Sequence, residues 1–267
     1  MCACASDFRN GSIAPEAPRR HAVTYRVGLI VPSSNTTMET ELPAILSTTG
    51  CDFSFHSSRV RMTTVSPEGL SEMVDETRRA AQEIDDARCD IVVYACLIAV
   101  MAKGPGAHRT AERDISKVLS ACESGSPPPV VSSAGALIEG IRALNARRVA
   151  IITPYITPLT ERVITYLAGA GIEVTDSVSL EISDNLEVGR IGNERLLGAV
   201  SQLSLNEAEA LVLSACVQMP SLALVQQVQV EYGLPVLTAA TATARQILDS
   251  LGMSPSVPNA VAGALLA

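Results

Sequence analysis

One pattern, occurring twice, restricts this chain more than any other feature. Asp90-Ile-Val-Val-Tyr-Ala-Cys96 and Glu209-Ala-Leu-Val-Leu-Ser-Ala-Cys216 each run from an acidic residue through apolar residues to alanine and cysteine. A short apolar run bounded by polar residues reads as a buried strand of a parallel sheet. Each thiol then sits at the carboxyl end of its strand, where open α/β sheets place ligands. The repeat extends beyond the thiols. Arg26-Val-Gly-Leu-Ile-Val-Pro32 matches Arg148-Val-Ala-Ile-Ile-Thr-Pro154, and Pro129-Val-Val-Ser-Ser-Ala134 matches Pro235-Val-Leu-Thr-Ala-Ala240. The cysteine runs are offset by 120 residues, the first-strand runs by 122 and the last pair by 106, a restart near half length that indicates duplication.

The segments between the matched runs complete βαβ units. Pro32 ends the first strand, and Ser34 or Asn35 can cap a helix to about Leu46. Phe53 to Arg59 alternates as a second strand, and Pro67 opens a helix through Asp86. Gly104-Pro-Gly106 is a loop before a helix over 111–122. Val130-Val131 is a short strand before a helix over 133–144. Eight strands alternating with helices predict an α/β fold. It has two pseudo-two-fold-related halves, each with a four-stranded parallel sheet, over residues 25–146 and 147–267. The active site falls between them, with Cys96 and Cys216 on opposite walls. Residues 1–24 have charges of both signs, two prolines and no period, and read as a mobile tail outside the fold.

The balance of residues narrows the partners. A net charge of −8 with no basic stripe argues against nucleic acid. Aromatics are only 3%, with no Trp, which disfavours stacking on bases or sugars. There is no run of about 18 apolar residues for a membrane span, and the first 24 residues lack the apolar centre of a signal peptide. A cytoplasmic location is the expectation. The seven cysteines contain no C-x-x-C pair, so the sequence predicts neither a metal site nor a disulfide framework.

A single cysteine is most often a small buried hydrophobe, and Cys51, Cys89 and Cys122 read that way. Cys96 and Cys216 differ because they are matched, each between alanine and an aliphatic residue. Both are expected to precede a helix start, which lowers a thiol pKa and offers N–H donors. The donors would come from Leu97 and Ile98 after the first thiol, and from Val217 and Gln218 after the second. Only three histidines exist. His21 lies in the tail and His56 within a strand, leaving His108 as the single candidate for a Cys-His dyad. Asn35 reads as a helix cap or a ligand contact, Asn185 as a loop residue or a ligand contact. Tyr155, at a strand tip, can donate its phenol to a carboxylate oxygen.

On these runs the chain resembles the aspartate/glutamate racemase superfamily and, within it, the maleate cis-trans isomerases. The specific stretches are Val31-Pro-Ser-Ser-Asn-Thr-Thr-Met-Glu39, Tyr94-Ala-Cys96, Val131-Ser-Ser-Ala-Gly-Ala136, Ala150-Ile-Ile-Thr-Pro-Tyr155, Ser183-Asp-Asn-Leu-Glu-Val-Gly-Arg190 and Leu213-Ser-Ala-Cys-Val-Gln-Met-Pro-Ser221. The resemblance implies Cys96 as nucleophile, Cys216 as acid/base, and Asn35, Tyr155 and Asn185 as holders of the substrate carboxylates. It also implies a homodimer with no cofactor, acting on a small dicarboxylate such as maleate or fumarate. The thiol pair itself fits equally a two-cysteine racemase of an amino or hydantoin-type acid. A decarboxylase of substituted malonates fits less well, because that group works with one cysteine. A binding protein on the same scaffold would have little use for both thiols.

Overall fold

The computed structural model describes residues 24–62, 67–122, 125–254 and 257–267, without the side chains of 67–75, 259 and 260. The expected tail therefore lies, except for Thr24, outside the described residues. The first half runs β1 (Thr24–Pro32), α1 (Met38–Leu46), β2 (Asp52–Val60), α2 (Pro67–Asp86), β3 (Ile91–Tyr94), α3 (Leu97–Met101), α4 (Ala107–Ser120), β4 (Val130–Ser132) and α5 (Ser133–Ala143). The second runs β5 (Arg148–Thr153), α6 (Thr157–Ala168), β6 (Glu173–Ser179), α7 (Asn185–Val188), α8 (Asn193–Val200), β7 (Ala210–Ser214), α9 (Val225–Tyr232), β8 (Val236–Thr238), α10 (Ala239–Ser250) and α11 (Asn259–Ala262). A 3-10 turn at Leu222–Leu224 leads into α9.

The strand orders are β2-β1-β3-β4 and β6-β5-β7-β8, and the paired strands in both sheets are parallel. The α/β fold with two four-stranded parallel sheets is thus as expected. The central strands β3 and β7 are buried along their whole length, which explains why they read as unbroken apolar runs.

The duplication reaches individual hydrogen bonds. Asp90 Oδ2 accepts the Arg26 N–H at 2.7 Å, and Asp90 N–H donates to Arg26 O at 2.8 Å. In the second half Glu209 Oε2 accepts the Arg148 N–H at 3.1 Å, and Glu209 N–H donates to Arg148 O at 2.8 Å. The acidic residue opening each cysteine strand thus ties the base of the central strand pair. At the other end Ala95 N–H donates to Ile30 O and Ala215 N–H to Ile152 O, at 2.9 and 3.0 Å. That bond fixes the residue immediately before each thiol.

The halves join through α5 and α10, where Thr243 Oγ1 donates to Ser133 Oγ at 3.1 Å. Each helix begins directly on its strand end. Ser132 Oγ accepts from Gly135 N–H, and Thr238 closes a capping box with Thr241. The helix expected from residue 111 starts earlier, at Ala107. Gly106, at φ 76°, turns the chain into it. Among the described residues no helix is long and apolar enough to cross a membrane.

Candidate active site

Cys96 lies two residues beyond β3, in extended conformation (φ −137°, ψ 91°) and immediately before α3. Its sulfur accepts the Ala99 N–H, and the side chain is buried. Cys216 lies two residues beyond β7 in the second half. Its sulfur accepts the Gln218 N–H at 3.4 Å and also the Met219 N–H. The hydroxyl of Tyr155, in the turn after β5, donates to the same sulfur. The two thiols are close enough that charge on Cys216 disfavours charge on Cys96. The matched strand ends therefore converge on one place.

The expectation of helix-activated thiols needs correcting. Only Cys96 precedes a helix start, and α3 has just five residues. Cys216 is followed by a turn, and the first helical residue beyond it is Leu222. Pro220 explains this, since it lacks an N–H and disfavours helical conformation at Met219. Ser214 Oγ stabilises the turn by donating to Cys216 O at 2.8 Å. The N–H bonds do act to lower both thiol pKa values, but burial outweighs them. Cys96 is pushed up to about 12, chiefly by desolvation, and Cys216 is raised for the same reason. A raised pKa keeps each thiol mainly protonated at pH 7.

Asn35 serves two elements. Its Oδ1 accepts the N–H groups of Thr37 and Met38 at 2.9 and 3.0 Å, capping the start of α1. Its Nδ2 donates across the halves to Val217 O at 3.3 Å, beside Cys216. Asn185, the first residue of α7, donates from Nδ2 to Ser34 Oγ at 2.7 Å. Leu97 and Ile98 form the buried first turn of α3, whose leading N–H groups have no intrahelical acceptor. The structure thus gathers Asn35, Tyr155, Leu97, Ile98, Val217 and Gln218 around the two thiols or beside a residue that touches them, and links Asn185 to Cys216 through Gln218.

Gln218 occupies its place differently from the others. Its side-chain Oε1 accepts Thr36 N–H at 2.8 Å, and its Nε2 donates to Ser34 O and Asn185 O, both at 2.9 Å. Three protein groups engage the side-chain amide, while the backbone N–H faces the Cys216 sulfur. Gly189 makes room for it, since a Cβ there would stand 2.6 Å from Nε2. His108 is not at the thiols. It lies on α4 with its Nδ1 against the Tyr166 hydroxyl, so a Cys-His dyad has no support. His56 meets Ser54 on β2.

Several residues of this neighbourhood were not legible from the sequence. Ser34, Thr36, Thr37 and Glu41 all lie in or just after the Pro-Ser-Ser-Asn-Thr-Thr run, and all meet the second half. The run's specificity was the only signal. Arg59 on β2 donates to Ser33 O at 2.9 Å and to Asn35 O, holding that turn from below. A cavity of about 810 Å³ is lined by Tyr94, Ala99, Val100, Lys103 and Ile115 among others, but by neither thiol. The site is therefore defined by its chemistry and not by the size of an opening. Among the described residues no group of three or more His, Cys, Asp or Glu is placed to hold a metal.

Comparison with known proteins agrees with this geometry. The arylmalonate decarboxylase (Amdase) family model matches residues 27–264. The chain is 53% identical to a maleate isomerase of Geobacillus stearothermophilus, over 91% of this chain and 97% of that protein. A maleate cis-trans isomerase of Nocardia farcinica, solved as a cysteine-to-serine variant with a covalently bound succinylcysteine intermediate, superimposes with a TM-score of 0.88. It is 51% identical, covering 91% of this chain and 98% of that one. Arylmalonate decarboxylase itself, at 18% identity and a TM-score of 0.69, shares the fold. The chain belongs to the arylmalonate decarboxylase family and, within it, to the maleate isomerases.

Proposed function

We propose that the protein converts maleate to fumarate through a covalent succinyl-cysteine, with Cys96 as nucleophile and Cys216 as acid/base. The observation that carries this reading is the convergence of two thiols from matched strand ends, one of them hydrogen-bonded by Tyr155. The Nocardia relative trapped as a succinylcysteine supports the covalent step.

Maleate has a double bond that does not rotate unaided. The reactive form of the pair carries one proton, on Cys216, with Cys96 as the thiolate. The two sulfurs disfavour each other's charge, so a singly protonated pair forms more readily than a doubly ionised one. The Cys96 sulfur adds to one alkene carbon, and the π electrons move toward the far carboxylate. Cys216 delivers its proton to the other alkene carbon. The remaining carbon–carbon single bond turns. Cys216 thiolate then removes a proton from that carbon as the Cys96–carbon bond breaks. Fumarate leaves, and the thiols regain their starting protonation.

The carboxylate that takes up charge needs donors already in place. Asn35, Asn185 and the backbone N–H groups of Leu97, Ile98 and Val217 are the proposed set, joined by Tyr155 and the Gln218 N–H, which turn to the carboxylate while Cys216 is still protonated and a weak acceptor and return to its sulfur once it is a thiolate. No step requires a cofactor. The proposal includes a cytoplasmic homodimer, whose assembly light scattering of the purified protein measures. Proton NMR of the protein with maleate tests the activity. Loss of the cis alkene signal with matching growth of fumarate is expected, and the Cys96→Ala variant should leave maleate untouched. Deuterium exchange at the α-carbon of aspartate or glutamate, with maleate unchanged, would point to the racemase alternative.

A further inference from the structure

Glu41 is a buried carboxylate in a protein proposed to bind a dianion, and the chemistry above does not use it. It lies on α1, the helix that Asn35 caps. Its Oε1 accepts two backbone N–H groups from the other half, those of Ser221 and Leu222, both at 2.8 Å. Those residues end the Cys216 turn and begin the 3-10 turn into α9. Glu41 therefore caps, from the opposite half, the segment that follows the second thiol. Burial alone raises the pKa of this carboxyl, and the two N–H bonds oppose the rise.

The same helix start makes further bonds to the same turn. Thr37 Oγ1 donates to Gln218 O at 2.7 Å, and Thr36 N–H donates to the Gln218 amide at 2.8 Å. The turn is thus tied near its middle by Thr36 and Thr37 and at its end by Glu41. Within its own half it is held by Ser214, whose hydroxyl donates to Cys216 O. The first half consequently governs where the thiol of the second half stands.

We propose that Glu41 is a positioning residue that anchors the Cys216 turn of the second half against the Asn35 helix of the first. Resting on the isomerase reading above, the inference assigns Glu41 to proton delivery and not to substrate binding. Its loss lets Cys216, together with the Val217 and Gln218 N–H groups that act on the developing charge, drift from the alkene carbon while Asn35, Asn185 and Tyr155 still hold the carboxylates.

The test uses the full-length protein with Glu41→Ala and Glu41→Gln. Displacement of a reacting group by about 1 Å can cost on the order of 10²-fold. In Glu41→Ala we expect kcat for maleate to fall by that order with KM within about threefold. Glu41→Gln keeps an oxygen that accepts both N–H groups and should restore kcat to within about threefold of the parent. Hydrogen exchange by mass spectrometry should rise in Glu41→Ala across residues 216–224 and stay unchanged in the peptides of β1, β3 and β5. Unchanged kcat in Glu41→Ala overturns the proposal, as does failure of Glu41→Gln to rescue. Exchange rising equally throughout the chain overturns it too. Should Glu41→Ala not fold, Glu41→Asp, which withdraws the carboxylate by one carbon, gives the same readouts. The exchange arm does not depend on turnover, so a parent protein inactive on maleate would refute the isomerase reading while still testing the anchor.

Discussion

The hydroxyl of Tyr155 donates a hydrogen bond to the sulfur of Cys216. Tyr155 is the last well-buried side chain before α6, and its own ionisation is suppressed by burial and by both nearby thiols. It therefore remains a neutral donor over the working pH range. The bond favours the thiolate that Cys216 becomes after giving up its proton. In Tyr155→Phe that donor is lost while the ring is kept. Removing one preorganised donor typically costs about 10²–10³-fold in kcat. Steady-state kinetics on maleate should show a loss of that size. The stability change should be near the ~1 kcal/mol of a single hydrogen bond, read by denaturant unfolding.

Asn35 caps α1 with its oxygen and reaches Val217 O with its nitrogen. Asn35→Asp keeps the cap and removes only the N–H donor. It also places a negative charge opposite a carbonyl and beside an anionic substrate. KM for maleate should rise at least tenfold, and the unfolding midpoint should fall as well, because the new carboxylate is buried against a carbonyl oxygen. Asn35→Ala should lose about 1 kcal/mol of stability through the missing cap.

The pH dependence follows from the direction of the thiol shifts. Cys96 is raised to about 12 and Cys216 is raised as well, against about 8.5 for a free thiol. The nucleophile is active as a thiolate, so kcat/KM should keep climbing above pH 8.5. A plateau already reached near pH 7 would contradict the assignment. Stability runs the other way. The native state holds the thiol protons more tightly than the unfolded chain does. Their contribution is full below about pH 8.5 and is lost as pH rises through the folded values. Urea midpoints measured from pH 7 to 10 should fall, and should fall less in Cys96→Ala.

Gly189, directly after α7, faces the Gln218 amide. A Cβ there would stand 2.6 Å from Gln218 Nε2 and 2.9 Å from Thr36 Oγ1. The Gln218 side chain cannot swing away without releasing Ser34, Asn185 and Thr36. Gly189→Ala should therefore cost roughly 1–3 kcal/mol, as overpacking does, and lower kcat along with it. Denaturation and kinetics on the same preparation check both.

The parts of this molecule that read from sequence are those encoded by repetition. The strand runs of β1, β3, β5 and β7, and the alternation of strands and helices, predicted two parallel sheets. The matched cysteines predicted one shared site. Other parts depend on contacts between residues about 180 positions apart, which no local pattern carries. Glu41 meeting Ser221, Asn35 meeting Val217 and Gln218 meeting Ser34 are of this kind. The direction of the thiol pKa values also escaped sequence reasoning. A strand-to-helix junction suggested activated sulfurs, whereas depth of burial sets the direction of the shift. His108 was legible by elimination. It was the one histidine left for a Cys-His dyad, a reading already weak because neither thiol needs a histidine, and the fold places it against Tyr166.

The central claim is that Cys96 attacks the alkene and Cys216 manages the proton. Incubating the Cys216→Ser variant with maleate, then mapping the digest by mass spectrometry, tests it most directly. The account predicts a gain of one maleic acid on the peptide that contains Cys96, with fumarate formed far more slowly than by the parent protein. An adduct on another cysteine, or full-rate fumarate formation with no adduct on Cys96, would contradict it.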